Sequence, residues 1–239
     1  MSDSPQTRTA TTAAARFVAS HSVLTLDARH PYTAKSLIDA QDMHRTVMSG
    51  FQGRGDDGSA DARARMGVLS TWTIDLKAAA LVLVVQSKVM ADWTHIPRSA
   101  LREAPRLITV DRTFRAGDVV GFRSVVNPTY SKPQTRPDGR RARGKRVAHT
   151  TPAGVRKWCA HHFGDGNTPG RVGAVADPDT VGVRMLPTVS SPAPHHGLRI
   201  ARAELRGSLT VTDPEAFVTA LSEGAGHGRA YSCGLILTR

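Results

Sequence analysis

The residue of this sequence best suited to proton transfer is a histidine within a stretch of helical periodicity. His44 lies in the segment 42–46, and the neighbouring Met43, Val47 and Met48 are predicted to face inward around it. An imidazole changes its charge near neutral pH and can therefore serve as a general acid or a general base. Without further context, a histidine of this kind is more often structural or superficial than catalytic, so both interpretations stay open.

The other potential ligand residues argue against a metal centre. The sequence holds ten histidines, yet none forms an H-x-x-x-H or HExxH pattern, which disfavours a zinc hydrolase. The two cysteines, Cys159 and Cys233, lie far apart, form no CxxC pair and fall in stretches that are predicted to be buried. We therefore expect no metal site, no cofactor, and free thiols in a reducing, cytoplasmic compartment.

A run of basic residues is the second feature with chemical consequences. Its members are Arg123, Lys132, Arg136, Arg140, Arg141, Arg143, Lys145 and Arg146, and Asp138 is the only acidic residue among them. Prolines and glycines interrupt residues 128–146, which predicts a flexible loop. Because like charges in such a loop repel one another, an anionic partner such as an RNA backbone is favoured. A solvated, disordered linker is the alternative.

The charge of the whole chain points to the same class of partner. The 32 Lys and Arg residues outnumber the 20 Asp and Glu residues, giving a formal net charge of +12. A phosphate backbone or an anionic membrane surface matches such an excess. The longest apolar run, residues 78–85, is too short to span a bilayer, and residues 1–15 lack the apolar segment of a secretion signal. We therefore expect a soluble protein without membrane contact.

A third feature is the glycine-rich segment of residues 224–229. Glycines allow backbone N–H groups to approach a phosphate closely, so Gly226, Gly228 and Arg229 are candidates for RNA contact. The segment follows a predicted helix and precedes a predicted strand, which is the reverse of the order in nucleotide-binding motifs. A nucleotide cofactor is therefore not predicted, and a tight structural turn is as good an explanation as RNA contact.

The elements that must position these residues fall into two similar halves. Residues 1–16 are predicted to form a flexible tail. In residues 17–114 the predicted elements are a strand (17–26), a helix carrying His44 (34–51), an exposed loop (53–65), two strands (66–76 and 81–89), a short helix (97–103) and a closing strand (106–114).

The second half, residues 115–239, repeats this order. Its predicted elements are a strand (119–126), the basic loop, a helix capped by Thr150 or Thr151 and ending near Phe163, strands 181–189 and 198–212, a helix opening at Asp213, and a last strand (232–238). The β-α-β-β-α-β order is that of the ferredoxin-like fold, which RNA-recognition domains share. We therefore predict an α+β protein of two tandem ferredoxin-like (RRM-like, βαββαβ) domains.

Four segments together resemble the CasE family, the CRISPR RNA endoribonucleases of type I-E systems. They are Met43-His44-Arg45-Thr46, the strand from Gly121 to Pro128, Gly144-Lys145-Arg146-Val147 with the helix that follows Thr151-Pro152, and the C-terminal residues 205–214 and 224–235. They occur in family order and cover most of the chain from Val18 onward. Two departures stand out: Gln41 replaces a tyrosine that some members carry, and Tyr231-Ser232 occupies a place where small or apolar residues are common.

The resemblance implies an activity and roles for named residues. It implies metal-independent attack of a ribose 2′-hydroxyl on the adjacent phosphate of a CRISPR repeat hairpin, with His44 transferring the proton as base or acid. Gln41 would orient the ribose or phosphate, and Arg45 would bind the phosphate. The product crRNA would stay bound as the protein joins other Cascade subunits, the chain being monomeric when alone. Because Gln41 replaces a tyrosine, a non-catalytic hairpin-binding subunit is the alternative.

Recognition of the hairpin is expected to depend on phosphates, since an A-form helix hides its base edges in a narrow major groove. The candidate RNA-binding residues are Arg45, Arg123, Lys132, Arg140, Arg141, Arg143, Lys145, Arg146, Arg156, Lys157, Arg184, Arg199, Gly226, Gly228 and Arg229. A DNA-binding regulator is disfavoured, because the basic residues cluster in a loop and no helix-turn-helix with a basic recognition helix is found.

Overall fold

The computed structural model describes residues 13–54, 62–135, 139–166, 168–192 and 197–239. The α-helices in this part of the chain are α1 (Pro31–Ile38), α2 (Ala40–Met48), α3 (Ala62–Arg65), α4 (Pro152–Phe163) and α5 (Pro214–Glu223). The β-strands are β1 (Ala14–Asp27), β2 (Leu69–Asp75), β3 (Ala80–Ser87), β4 (Arg106–Arg115), β5 (Val119–Val126), β6 (Thr129–Thr135), β7 (Arg141–Ala148), β8 (Ala174–Ala176), β9 (Gly182–Ser190), β10 (Arg199–Val211) and β11 (Ile236–Thr238).

The first half forms a four-stranded antiparallel sheet in the order β2-β3-β1-β4, which is the strand order of a ferredoxin-like domain. Alternate residues of β1 and β3, such as Leu24 and Leu83, are fully buried. They join Met43, Val47 and Phe51 in one apolar core. Helix α2 is therefore held to the sheet by the inward-facing residues that the sequence predicted around His44.

The predicted helix over residues 34–51 is wrong in one respect, because the chain forms two helices there. Asp39 has extended backbone angles (φ −119°, ψ 120°), and its carboxylate accepts a hydrogen bond from the N–H of Gln41. An aspartate in this position caps a new helix, so the helix breaks at Asp39 and α2 begins at Ala40. The helix predicted at residues 97–103 is also wrong, since only a 3-10 turn forms at Arg98–Ala100.

The predicted exposed loop 53–65 is partly corrected as well. Its last residues form the short helix α3, and residues 55–61 lie outside the described part of the chain.

The second half forms another sheet, in the order β11-β5-β10-β8, and β9 also pairs with β10. This is the ferredoxin-like order again, and α4 and α5 contribute Phe163 and Phe217 to its core. The predicted strand over residues 232–238 is too long, because Ser232 and Gly234 have positive φ angles of 57° and 89°. Such angles are incompatible with extended backbone, so β11 begins only at Ile236. The two-domain α+β fold is confirmed.

The basic stretch predicted as a flexible loop is instead a hairpin of two paired strands, β6 and β7. The pairing is irregular between Ser131 and Pro133, which accommodates a proline that cannot donate to a regular ladder. Gly144 allows close approach of the strands, because a Cβ there would lie 2.2 Å from the carbonyl oxygen of Lys132. Residues 136–138, between the strands, lie outside the described residues.

Buried polar contacts join the two domains. The side chain of Gln86 on β3 donates to the carbonyl of Leu221 on α5 over 2.7 Å. The Arg202 guanidinium of β10 lies over the Trp72 ring of β2 at 4.0 Å from its centroid. Such a cation–π contact is stronger when it is shielded from water, and Arg202 is only 3% exposed. These contacts join β2 and β3 of the first domain to β10 and α5 of the second.

Two further expectations concern the thiols and the membrane. Cys159 and Cys233 are buried and free, as predicted. Across the described ranges, no helix has the length and apolar character needed to cross a membrane.

Candidate active site and RNA-binding surface

Helix α2, which carries the candidate catalytic histidine, is anchored by both domains. The carboxylate of Asp39 caps the helix and also accepts a hydrogen bond from the Ser191 hydroxyl, which follows β9 of the second domain. That hydroxyl in turn accepts from the N–H of Gln41 over 3.2 Å. The first turn of α2 is therefore fixed in place by a residue 150 positions further along the chain.

His44 lies where α2 meets the end of the glycine-rich loop. Its imidazole is half-buried, and its ring centroid is 6.2 Å from that of Tyr231, with the ring planes at 57°. Burial lowers the pKa of His44 below its usual 6.5, the backbone of Ala230 opposes this shift, and the positive charges of Arg63 and Arg45 add to it. The neutral imidazole, which can accept a proton, is therefore the favoured form at neutral pH.

The other two candidates on α2 have partners within the protein. The amide nitrogen of Gln41 donates a hydrogen bond of 3.0 Å to the Tyr231 hydroxyl. The Arg45 guanidinium forms an ion pair with Asp42 on the same helix, although 61% of its side chain stays exposed. Arg45 therefore remains accessible to an anionic ligand, whereas Gln41 faces the C-terminal loop.

The glycine-rich loop has a structural reason for its glycines. Gly226 has a φ angle of 77°, and a Cβ there would lie 2.7 Å from the ring of Trp158. Gly228, with φ 76°, starts the 3-10 turn Arg229–Tyr231, and the Arg229 side chain donates to the carbonyl of Gly226. The loop thus needs glycine for packing and backbone shape, and that shape brings Tyr231 to His44.

The predicted RNA-binding residues of the basic stretch lie on the β6–β7 hairpin, which we call the basic hairpin. Lys132, Lys145 and Arg146 are exposed there, and within the described residues none of them forms a salt bridge. Arg140 is exposed immediately before β7. The side chains of Arg141 and Arg143 lie outside the described part.

Three more predicted residues lie on α4 and β10. Arg156 and Lys157 are exposed on α4, and Arg156 donates a hydrogen bond to the carbonyl of Val181. Arg199 is exposed at the start of β10. The next residue, Ile200, belongs to the apolar cluster that Tyr231 packs against.

Arg123 and Arg184 have a different environment from the hairpin residues. Together with Arg206 they surround the carboxylate of Glu204, which is only 3% exposed, at 2.7 Å (Arg123), 2.7 Å (Arg206) and 3.3 Å (Arg184). We call these four residues the arginine cluster. Burial raises the pKa of Glu204, but the hydrogen bonds and charges of Arg206 and Arg123 outweigh it and lower the pKa overall. The carboxylate is therefore ionised at neutral pH.

Several residues of these sites were not predicted from the sequence. In the sequence Tyr231 is only a departure from the family pattern, and neither Ser191 nor Glu204 is predicted as a site residue. A signal for Glu204 did exist, because Arg202, Glu204 and Arg206 are spaced by two in a predicted strand and must share a face of the sheet. No local pattern marks the contacts of Ser191 and Tyr231 with α2, which connect residues far apart in sequence.

A comparison with models of known protein families identifies the family of this chain. A family model described as CRISPR associated protein matches residues 21–239. The chain belongs to this family. The CRISPR resemblance stated from the sequence is thereby confirmed. No curated protein matches the chain.

Solved structures of CRISPR proteins share the fold. Thermus thermophilus Cse3 bound to an RNA representing a pre-cleavage complex is 21% identical, with a TM-score of 0.68 over 93% of this chain and 100% of that one. The CRISPR-associated protein Cas6e from Escherichia coli K-12 is 15% identical, with a TM-score of 0.61 over 92% and 98%. A chain of a CRISPR RNA-guided surveillance complex is 18% identical, with a TM-score of 0.57 over 92% and 98%. At these identities the similarity establishes the fold.

Proposed function

We propose that this chain is a metal-independent endoribonuclease that binds the hairpin of a CRISPR repeat RNA and cleaves at its 3′ side. The observation that carries the proposal is His44, a half-buried, neutral imidazole at the meeting point of α2 and the glycine-rich loop. Family membership supports it, as do folds shared with a CRISPR endoribonuclease bound to RNA. A histidine kept neutral beside cationic side chains suits proton transfer next to a phosphate.

The chemistry would begin with proton transfer from the ribose 2′-hydroxyl to His44. The 2′-oxygen attacks phosphorus, the bond from phosphorus to the 5′-oxygen breaks, and that oxygen leaves as a 5′-hydroxyl. It takes a proton from solvent, to which His44 returns the proton that it accepted. The upstream product ends in a 2′,3′-cyclic phosphate. Positive side chains such as Arg45 and Arg199 would offset the charge that develops on the phosphate oxygens.

RNA binding is assigned chiefly to exposed cations. The proposed RNA-binding cations are Arg45, Lys132, Arg140, Arg141, Arg143, Lys145, Arg146, Arg156, Lys157, Arg199 and Arg229. Gly226 and Gly228 would contact RNA through their backbone, and Arg123 and Arg184 would contribute less. The first domain (17–114) would carry the histidine and the second (115–239) most of the RNA surface. Because a solved surveillance complex contains a chain of this fold, we further propose that the protein stays on its crRNA as a Cascade subunit and is monomeric before assembly.

The decisive experiment incubates the purified protein with its repeat RNA in excess EDTA and maps the product ends. We expect cutting in EDTA, a cyclic phosphate and a 5′-hydroxyl. His44→Ala should slow single-turnover cleavage by roughly 10²- to 10⁴-fold, the usual worth of general acid–base catalysis, with little change in RNA affinity. His95→Ala, an exposed histidine of the same domain, is the matched control and should cut normally.

The alternative, a subunit that binds the hairpin without cutting it, rests on Gln41 in place of the tyrosine of some relatives. Binding without cleavage by the unaltered protein would support it. A 3′-hydroxyl on the upstream product would instead contradict attack by the 2′-hydroxyl.

The pH dependence of cleavage gives an independent test. Burial lowers the pKa of His44. The rate of single-turnover cleavage, measured at protein concentrations too low to saturate the RNA, should therefore show an inflection below pH 6.5. As a general base, His44 would make the rate fall as the pH drops through this inflection and stay level above it. An inflection that persists in His44→Ala would assign the titration to another group.

A further inference from the structure

Tyr231 is the side chain that approaches His44 from the second domain. Its ring packs at 6.2 Å, centroid to centroid, against the imidazole. The Nδ1 atom of His44 is buried and lacks a hydrogen-bond partner within the described residues. The ring of Tyr231 therefore packs on the imidazole without hydrogen-bonding its Nδ1 atom.

The hydrogen bond between Tyr231 and Gln41 has a direction that matters. The amide nitrogen of Gln41 donates to the phenolic oxygen over 3.0 Å, so the oxygen acts as acceptor. The phenol keeps its own O–H for another acceptor. Gln41 is itself fixed, because its backbone N–H is held by the Asp39 carboxylate and the Ser191 hydroxyl. The phenol therefore presents a donor beside His44 from a defined position.

The backbone immediately after Tyr231 is strained. Ser232 has a left-handed conformation (φ 57°, ψ 38°), which is costly for a residue other than glycine. Its side chain is 1% exposed and hydrogen-bonds the Ser70 hydroxyl of β2 over 2.9 Å. Strain of this kind persists where the surroundings enforce it, and it is concentrated at functional sites. Here it lies next to Tyr231, at the end of the turn that contacts α2.

We propose that Tyr231 is a second catalytic residue of the cleavage site, where its hydroxyl donates a hydrogen bond to an oxygen of the scissile phosphate, and that Gln41 is a positioning residue that holds the phenol. This inference rests on the proposed function. It changes the role expected for Gln41, which acts on the phenol and not directly on the ribose or phosphate. It also explains why glutamine at this position is compatible with catalysis, since the phenol is supplied by the other domain.

The direct test is Tyr231→Phe, which removes the hydroxyl and keeps the ring that packs on His44. We expect single-turnover cleavage to slow by roughly 10- to 10³-fold, as on loss of one donor to a developing oxyanion, with RNA affinity within about threefold of the unaltered protein. Tyr32→Phe, a partly buried tyrosine that packs against the core of the first domain, is the matched control and should cut normally. A normal rate for Tyr231→Phe would overturn the inference.

Gln41 is tested by a double-mutant cycle. Gln41→Ala should slow cleavage less than Tyr231→Phe, and the double variant should cut no more slowly than Tyr231→Phe alone, because Gln41 acts through the phenol. Fully additive losses would show that Gln41 contacts the substrate itself.

A sulfur substitution in the RNA tests the contact without altering the fold. Replacing one non-bridging oxygen of the scissile phosphate should slow the unaltered protein for one diastereomer and have a much smaller effect on Tyr231→Phe. An equal slowing by sulfur in both proteins would overturn the proposed contact between the Tyr231 hydroxyl and the scissile phosphate. The proposed function fails separately, if the unaltered protein does not cut or if His44→Ala cuts normally.

Discussion

The basic hairpin and the arginine cluster contain the same kinds of residue in opposite electrostatic situations. On the hairpin, Lys132, Lys145 and Arg146 are exposed, with no described acidic side chain in salt-bridge range. In the arginine cluster, three guanidinium groups share the carboxylate of Glu204, which is almost fully buried. These three hairpin residues therefore carry uncompensated charge, whereas part of the charge of the cluster is neutralised by a carboxylate inside the protein.

The difference teaches that a count of basic residues does not measure affinity for RNA. Counterion release requires a cation that is free to meet a phosphate. A guanidinium that already pairs with a buried carboxylate must divide its hydrogen bonds between two anions, and it also contributes to the stability of the sheet. We therefore expect the hairpin to govern RNA binding and the cluster to govern the stability of the second domain.

The largest effect is expected when the charge of the hairpin is removed. Replacing Lys132, Lys145 and Arg146 together by alanine should weaken binding to the repeat hairpin by about 100-fold near 0.1 M salt and reduce the salt slope by about three. Titrations of labelled RNA at several salt concentrations measure both quantities. Lys77→Ala, at an exposed turn of the first domain, serves as the control. An unchanged slope would mean that the hairpin does not contact phosphates.

The next effect concerns the carboxylate of the cluster. Glu204→Gln leaves three arginines without their shared anion, so the free energy of unfolding should fall by about 1–3 kcal/mol. This is less than for a fully buried pair, because the arginines are partly exposed. Chemical denaturation measures the loss, and Glu223→Gln, an exposed glutamate of α5, is the control. RNA affinity should fall far less than in the hairpin variant. An equal loss of affinity would show that the arginine cluster contributes to RNA binding as much as the basic hairpin does.

The cluster should also give the second domain a specific response to acid. The pKa of Glu204 is lowered in the folded protein, so its stabilising contribution is complete above the unfolded value of 4.5 and is lost as the pH falls through the folded value. The difference in melting temperature between the unaltered protein and Glu204→Gln should therefore shrink below pH 4.5. A difference that stays constant into strong acid would show that the charge of Glu204 is not what stabilises the sheet.

Much of the fold follows from local pattern. The alternation of apolar residues predicts β10 within one residue at each end, and the Thr151-Pro152 start of α4 is predicted from its capping chemistry alone. The break at Asp39 was missed because the apolar spacing continues through it, although aspartate is also a good N-cap. The basic hairpin was missed because its strands lack the apolar alternation by which buried strands are predicted.

The candidate site was predictable only in its separate parts. The sequence indicated His44 and the glycine-rich loop, but not that one packs against the other. That contact depends on the arrangement of two domains, as does the hydrogen bond between Gln41 and Tyr231, whose residues are 190 positions apart. The arginine cluster likewise combines residues from three strands, so the sequence alone could not separate its paired cations from Lys132, Lys145 and Arg146, which form no salt bridge within the described residues.

The smallest effect, and the finest test of the comparison, comes from two single substitutions. Arg184→Ala removes the most distant partner of Glu204. The Arg184 side chain is 62% exposed, so the free energy of unfolding should change by less than about 0.5 kcal/mol. Lys145→Ala, on the hairpin, should reduce the salt slope of RNA binding by about one, and Arg184→Ala by clearly less, because Glu204 already neutralises part of its charge. Parallel salt titrations of both variants make the comparison. Equal reductions of the salt slope would show that pairing with a buried carboxylate does not weaken the contact of an arginine with RNA phosphates.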